Sequence, residues 1–145
     1  MNEIALMREI AKLQDQISAL ATITKGWSPI PLTTPLTSTS YDGDDTVAIG
    51  TVTIDTSAVF GAPAGIKAAS IYSRATWASA NTSYVLAIRP TGGGAADNVA
   101  LLRAQTTFPQ DESFIVPCDA NGDFDIVVAG ANATNVILRI WGYWI

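Results

Sequence analysis

The sequence predicts a mainly β fold: a single β-sandwich of about seven strands with jelly-roll or Greek-key connections, preceded by an N-terminal α-helix and an extended linker. Three observations carry that prediction. Short apolar runs rich in valine, isoleucine and aromatic residues recur through residues 46–145, each bounded by Gly, Pro, Asn or Asp. Only residues 2–25 show the three-and-four spacing of an amphipathic helix. Between the two, Trp27–Ser40 (WSPIPLTTPLTSTS) has three prolines and no period.

In the helical stretch, Leu6, Ile10, Leu13, Ile17 and Leu20 recur at spacings of four, three, four and three. Ile10 and Ile17 at position a place the three leucines at d, which is a coiled-coil seam. Lys25-Gly26 followed by Pro29 supplies the stop, because glycine suits a left-handed cap and proline cannot continue the helix. Residues 1–26 therefore read as an oligomerisation or docking helix. A helix of this size is marginal alone in water and needs partner helices, its own β domain or a docking groove. Isoleucine at a with leucine at d favours two strands. Met7 and Ala21 at e widen the apolar stripe and favour three. The expectation is a homotrimer, with a dimer as the alternative.

Residues 27–45 read as an extended, partly polyproline linker that ends in the acidic turn Tyr41–Asp45. The β domain then spans 46–145, with strands expected at 46–54, 66–74, 83–89, 99–106, 113–117, 124–129 and 136–145. Turn chemistry separates them: Gly61–Gly65, Ala80–Thr82, Pro90–Gly94, Pro109–Glu112, Asn121-Gly122 and Gly130–Asn135.

The last strand is apolar on both faces. Val136, Leu138, Ile140 and Trp144 alternate with Ile137, Arg139, Trp141, Tyr143 and Ile145. An antiparallel strand with one wet face is apolar on one side only. One face is assigned to the sandwich core and the other to a neighbouring subunit. Arg139, Trp141 and Tyr143 are the expected interface residues on that second face.

Bulk composition agrees with a surface covered by protein. Charged residues make up 14% of the chain, against roughly 25% in soluble domains. The net charge of −5 lies entirely beyond residue 40, since Arg8, Lys12 and Lys25 cancel Glu3, Glu9 and Asp15. With no basic cluster to meet phosphates, nucleic acid is not an expected partner. No run approaches the roughly 20 apolar residues of a membrane span. Arg8, Glu9 and Lys12 break any signal-peptide core, so assembly in a cytoplasm is expected.

Residues with chemical potential are few. The chain has no histidine, which removes Ser-His-Asp and Cys-His catalysis. Cys118 is the single cysteine, with nothing beside it in sequence to lower its pKa, and reads as a half-buried small side chain. Asp119–Asp125 (DANGDFD) begins like a calcium loop, but glycine stands fourth and Gly130 occupies the twelfth position. Its Asn121-Gly122 is instead a hairpin signal. Asp42, Asp44 and Asp45 read as a solvated acidic loop. Thr91–Gly94 lacks the lysine of a phosphate loop and reads as a hairpin tip. Asn81 and Asn132 fit the glycosylation pattern, which matters only in a secreted eukaryotic protein. Arg74, Arg89, Arg103 and Arg139 lie within or at the end of apolar strands, either as outward side chains or as partners for acids across a subunit boundary. No catalytic residue, cofactor or metal ligand is assigned.

The layout of seam, Pro/Thr linker and Gly/Ala/Thr-rich sandwich, ending in FDIVVAGANATNVILRIWGYWI, resembles that of tailed-bacteriophage virion proteins. These are the trimeric head-decoration (cement) proteins and the heads of capsid or tail fibres. The resemblance implies a non-enzymatic homotrimer located in the virion, with the major capsid protein or another virion protein as partner. Its leading implication is a decoration protein that stabilises a phage head. The alternative it implies is a fibre or spike head binding host carbohydrate, for which exposed Trp77, Tyr72 or Trp141 would serve as platforms.

Overall fold

A computed structural model describes residue 7 and residues 9–16, 28–105 and 108–145. Eight strands appear in chain order: β1 (Pro29–Leu36), β2 (Gly50–Asp55), β3 (Ala68–Thr76), β4 (Asn81–Pro90), β5 (Ala100–Ala104), β6 (Gln110–Pro117), β7 (Asp123–Ala129) and β8 (Thr134–Trp144). A five-residue helix, α1 (Thr56–Phe60), follows β2, and a 3-10 turn (Ala95–Asp97) precedes β5. All seven strands expected from the sequence are present.

The strands form two antiparallel sheets, ordered β1-β8-β3-β6 and β2-β7-β4-β5. β1 pairs with β8, β2 with β7, β3 with β6 and β4 with β5. That is the pairing of one long hairpin, rolled so that β8 also meets β3 and β7 also meets β4. This order is a jelly roll. Every connection except β4–β5 crosses between sheets. The Asn121-Gly122 segment is therefore a turn, as its residues require, but not the expected hairpin. It hands the chain from β6 in one sheet to β7 in the other.

Alternation along the strands builds the core. Ile71, Val116, Val136, Leu138 and Ile140 of the first sheet face Ile54, Leu86, Ile88, Phe124 and Ile126 of the second, all essentially inaccessible. Apolar area removed from water contributes roughly 25 cal/mol per Å2, so these side chains dominate the stability of the domain.

Two expectations need correction. The segment 27–45 is not a linker outside the fold over the residues described. β1 pairs with β8, Ser38 and Tyr41 are buried, and Asp42 bridges Ile137. Prolines did not preclude a strand here because β1 is an edge with a partner on one side only. Its ladder does slip between Pro31 and Leu36. The second correction concerns β8. Ile140 opposes Ile71 and Gly142 opposes Ser70, so Trp141 is the extra residue of a bulge. Strict alternation holds up to Ile140 and then changes phase. Tyr143 packs against the core opposite Ala69, and Trp144 leaves the core face that alternation had given it.

α1 was not read from the sequence. Asp55 caps it: its Oδ1 accepts the Ser57 and Ala58 amides at 2.9 Å each and the Ser57 hydroxyl at 2.7 Å. Gly61 closes it with φ 70°. The helix delivers Phe60 to the core, where its ring stacks on Tyr41 with centroids 6.4 Å apart.

Residue 7 and residues 9–16 are helical. The seam residues Ile10 and Leu13 are 47% and 55% exposed. Leu6, Ile17 and Leu20 lie outside the described residues.

Candidate interaction surface

Among the described residues, the outer face of the β1-β8-β3-β6 sheet carries an apolar depression and a polar one. The apolar groove encloses about 260 Å3 and is lined by Pro29, Ile30, Pro31, Ser70 and Trp141–Trp144. Its floor is Gly142, buried between β1 and β3. A Cβ there would lie 3.1 Å from the Ile30 carbonyl oxygen and 3.5 Å from the Pro31 Cα. Trp141, the extra residue of the bulge, keeps the outward direction that alternation gives it and is 43% exposed. The only hydroxyl among side chains that point away from the core here is that of Ser70, so the groove suits apolar contact better than hydrogen-bonded recognition. Along the same face Ser70 opposes exposed Ile115, and Tyr72 stands between Arg139 and Ser113.

Of the interface residues expected on β8, Arg139 and Trp141 are exposed on this outer face. Tyr143 is half-buried against its own core and lines the groove only in part. Sequence reasoning missed Gly142, Pro29 and Pro31. The signal available was the single glycine inside an otherwise bulky strand, which marks a close backbone approach or a bulge.

The polar depression, about 390 Å3, is lined by Asp42, Gly43, Arg74, Thr76, Pro109, Asn135 and Ile137. Its base is rigid. Thr76 Oγ1 donates to the Thr134 carbonyl at 3.0 Å, and Thr134 Oγ1 donates to the Thr76 carbonyl at 3.1 Å. Asn135 Nδ2 donates to Thr76 Oγ1 at 3.2 Å, from a backbone held at φ 48°. Beside this depression, oxygens of Asp42, Asp44 and Asp45 come within 4.8 Å of one another. A hydrogen bond shared with Asp42, together with the charges of Asp42 and Asp45, holds the Asp44 carboxyl above its ordinary pKa.

No match to any protein-family model or to any curated protein was found for this chain.

The remaining candidates fall into place individually. Trp77, expected as an exposed platform, is 2% exposed and belongs to the core. Its Nε1 has no hydrogen-bond partner among the described residues. The expected exposure is thus corrected: Trp77 follows β3 directly and turns inward. Burial, reinforced by Asp119 and Asp123, pushes the Cys118 thiol up to about 12. That leaves it protonated at neutral pH and a poor nucleophile. In the Asp119–Asp125 loop the carboxylates serve the backbone. Asp119 Oδ1 accepts the Asn121 amide at 2.9 Å and the Asp123 amide at 3.0 Å. Buried Asp125 accepts Thr53 Oγ1 at 2.7 Å and the Gly92 amide at 2.9 Å. Asp125 thereby ties the Thr91–Gly94 hairpin tip to the sheet. Arg74, Arg103 and Arg139 are exposed and Arg89 is half-buried. Arg103 donates to the Thr82 carbonyl at 2.9 Å.

Proposed function

We propose that this chain is a non-enzymatic structural subunit of a bacteriophage virion, acting as a homotrimeric capsid decoration protein. One observation carries the reading: among the described residues, nothing covers Ile10 and Leu13 of the helix or the apolar groove on the outer sheet. Ile10 and Leu13 on the helix, and Trp141 on β8, are large side chains whose exposure costs free energy that association would recover. The groove adjoins the point where the chain enters the jelly roll. Ser28 and Ile145 exchange backbone hydrogen bonds of 3.2 and 3.3 Å, and Pro29 opposes Trp144. A closed trimer matches a local three-fold of a capsid lattice, and a subunit that binds only the assembled shell stabilises it by mass action. The jelly roll also recurs in viral capsid proteins and lectins, which supports the reading by fold analogy alone.

The test is co-sedimentation of the purified chain with assembled phage shells, and its copy number in purified particles. Saturable binding at many copies per shell supports decoration. A few copies per particle would support the second reading, a fibre or spike head, for which Trp141 and half-buried Tyr72 remain available as platforms and buried Trp77 does not.

A further inference from the structure

Between the two depressions, the outer face of the first sheet carries polar groups that its own chain does not use. Arg139 of β8 opposes half-buried Tyr72 of β3. Two residues along β3, Arg74 has Asp111 opposite on β6 and Ile137 opposite on β8. Arg74, Arg139 and Asp111 are exposed, and among the described residues none of them makes an ion pair or a side-chain hydrogen bond. Free donors and a free acceptor thus surround an aromatic side chain. The polar depression adds acceptors at the Arg74 end. Asn135 gives its Nδ2 to Thr76 Oγ1 at 3.2 Å, so its Oδ1 remains to accept, and Asp42 lines the same depression. Among the described residues Asn135 is the only non-glycine with positive φ, at 48°. Such a backbone persists only where its surroundings over-determine it, so this acceptor is held in place before a ligand arrives.

We propose that this row is a binding site for a neutral saccharide. Tyr72 meets the apolar face of a pyranose ring, Arg74 and Arg139 donate to its hydroxyls, and Asn135 and Asp42 accept from them. A pyranose combines C–H faces with a rim of hydroxyls that both donate and accept. Its site therefore needs an aromatic side chain beside polar groups of both kinds. Other classes of ligand match the face less well. β3 and β8 have strands on both sides, so an extended peptide finds no edge to pair with. An apolar protein surface would bury Arg74 and Arg139 without a counter-charge. An acidic ligand meets Asp42, Asp111 and a net charge of −5. The depression, at about 390 Å3, has the size of a small-molecule site. Trp141 and the apolar groove are not part of it. A saccharide held here gives the fibre or spike reading its ligand class and rests on that reading for the ligand's source.

Titration of the full-length chain tests this by NMR, with neutral hexasaccharides of glucose, mannose and galactose and with hexagalacturonate as the acidic probe. At least one neutral probe is expected to give saturable shifts at the Tyr72–Thr76 and Asn135–Arg139 amides. Arg74→Gln weakens that binding about tenfold, the loss expected for hydrogen bonds from a charged donor. Tyr72→Ala weakens it as well, whereas Tyr72→Phe and Trp141→Ala leave it in place. If Tyr72→Ala does not fold, Arg74→Gln and Arg139→Gln, at exposed positions, decide. Absence of shifts with every neutral probe, shifts confined to other surfaces, or tighter binding of hexagalacturonate overturns the proposal. Copy number in particles reads the fibre or spike reading separately: many copies per shell would end that reading and leave a measured saccharide site standing.

Discussion

Gly142 lies so close to Ile30 that a Cβ would come within 3.1 Å of the Ile30 carbonyl oxygen. The backbones of β8 and β1 meet here, and the contact sets the floor of the apolar groove. Gly142→Ala forces β1 outward and fills the floor. Overpacking of this kind costs roughly 1–3 kcal/mol, to be read as a lower denaturant midpoint with an unchanged slope. An unchanged midpoint would mean that β1 yields without cost and does not hold the groove in shape.

The cap on α1 makes stability depend on pH in a defined direction. Hydrogen bonds from the Ala58 amide and the Ser57 hydroxyl and amide hold the Asp55 carboxyl below its ordinary value of 3.8. A carboxyl depressed in the folded state stabilises fully above its unfolded pKa, and the contribution is lost as pH falls through the folded value. Asp55→Ala should therefore lower the melting midpoint at neutral pH and have progressively less effect in acid. An effect of equal size at both ends of the range would mean that the cap does not act through its charge.

The acidic loop yields a prediction about ions. Asp44 is held above its ordinary pKa by the hydrogen bond to Asp42 and by neighbouring charge, but Asp42 and Asp44 are exposed, so water and salt screen the repulsion without a bound ion. A chelator is expected to leave the melting midpoint of the purified chain unchanged. A fall of several degrees, reversed by adding back a divalent cation, would instead make Asp42, Asp44 and Asp45 a structural ion site.

The parts of this fold that were legible in the sequence are those governed by local pattern. Valine- and isoleucine-rich runs between Gly, Pro and Asn marked β2 to β8, and the period of two placed Val136, Leu138 and Ile140 in the core. What escaped depends on neighbours distant in sequence. β1 reads as a linker because its prolines forbid a central strand, and only the vacancy beside β8 makes an edge strand possible there. The bulge at Trp141 exchanged Tyr143 and Trp144 between faces, and no periodicity announces one extra residue. The polar residues that follow Trp77 suggest a surface position, whereas its burial is decided by its place at the end of β3. The Asp55-Thr-Ser…Gly61 signature of α1 was readable as cap and stop, but five residues are too few to show a helical period.

The central claim is that the chain assembles with itself through surfaces it leaves open, with the second face of β8 among them. Its most direct test is the solution mass of the full-length chain beside two variants of β8. The unaltered chain is expected to sediment at about three times its 15.2 kDa mass. Leu138→Ala, on the core face, should cost roughly 2–5 kcal/mol of stability while the assembled mass persists. Trp141→Ala, on the outer face, should leave stability of the fold nearly intact and shift the mass toward the monomer, because exposed aromatics that become buried dominate association. A monomer mass for the unaltered chain at micromolar concentration, or a Trp141→Ala chain that assembles as tightly as its parent, would contradict the account.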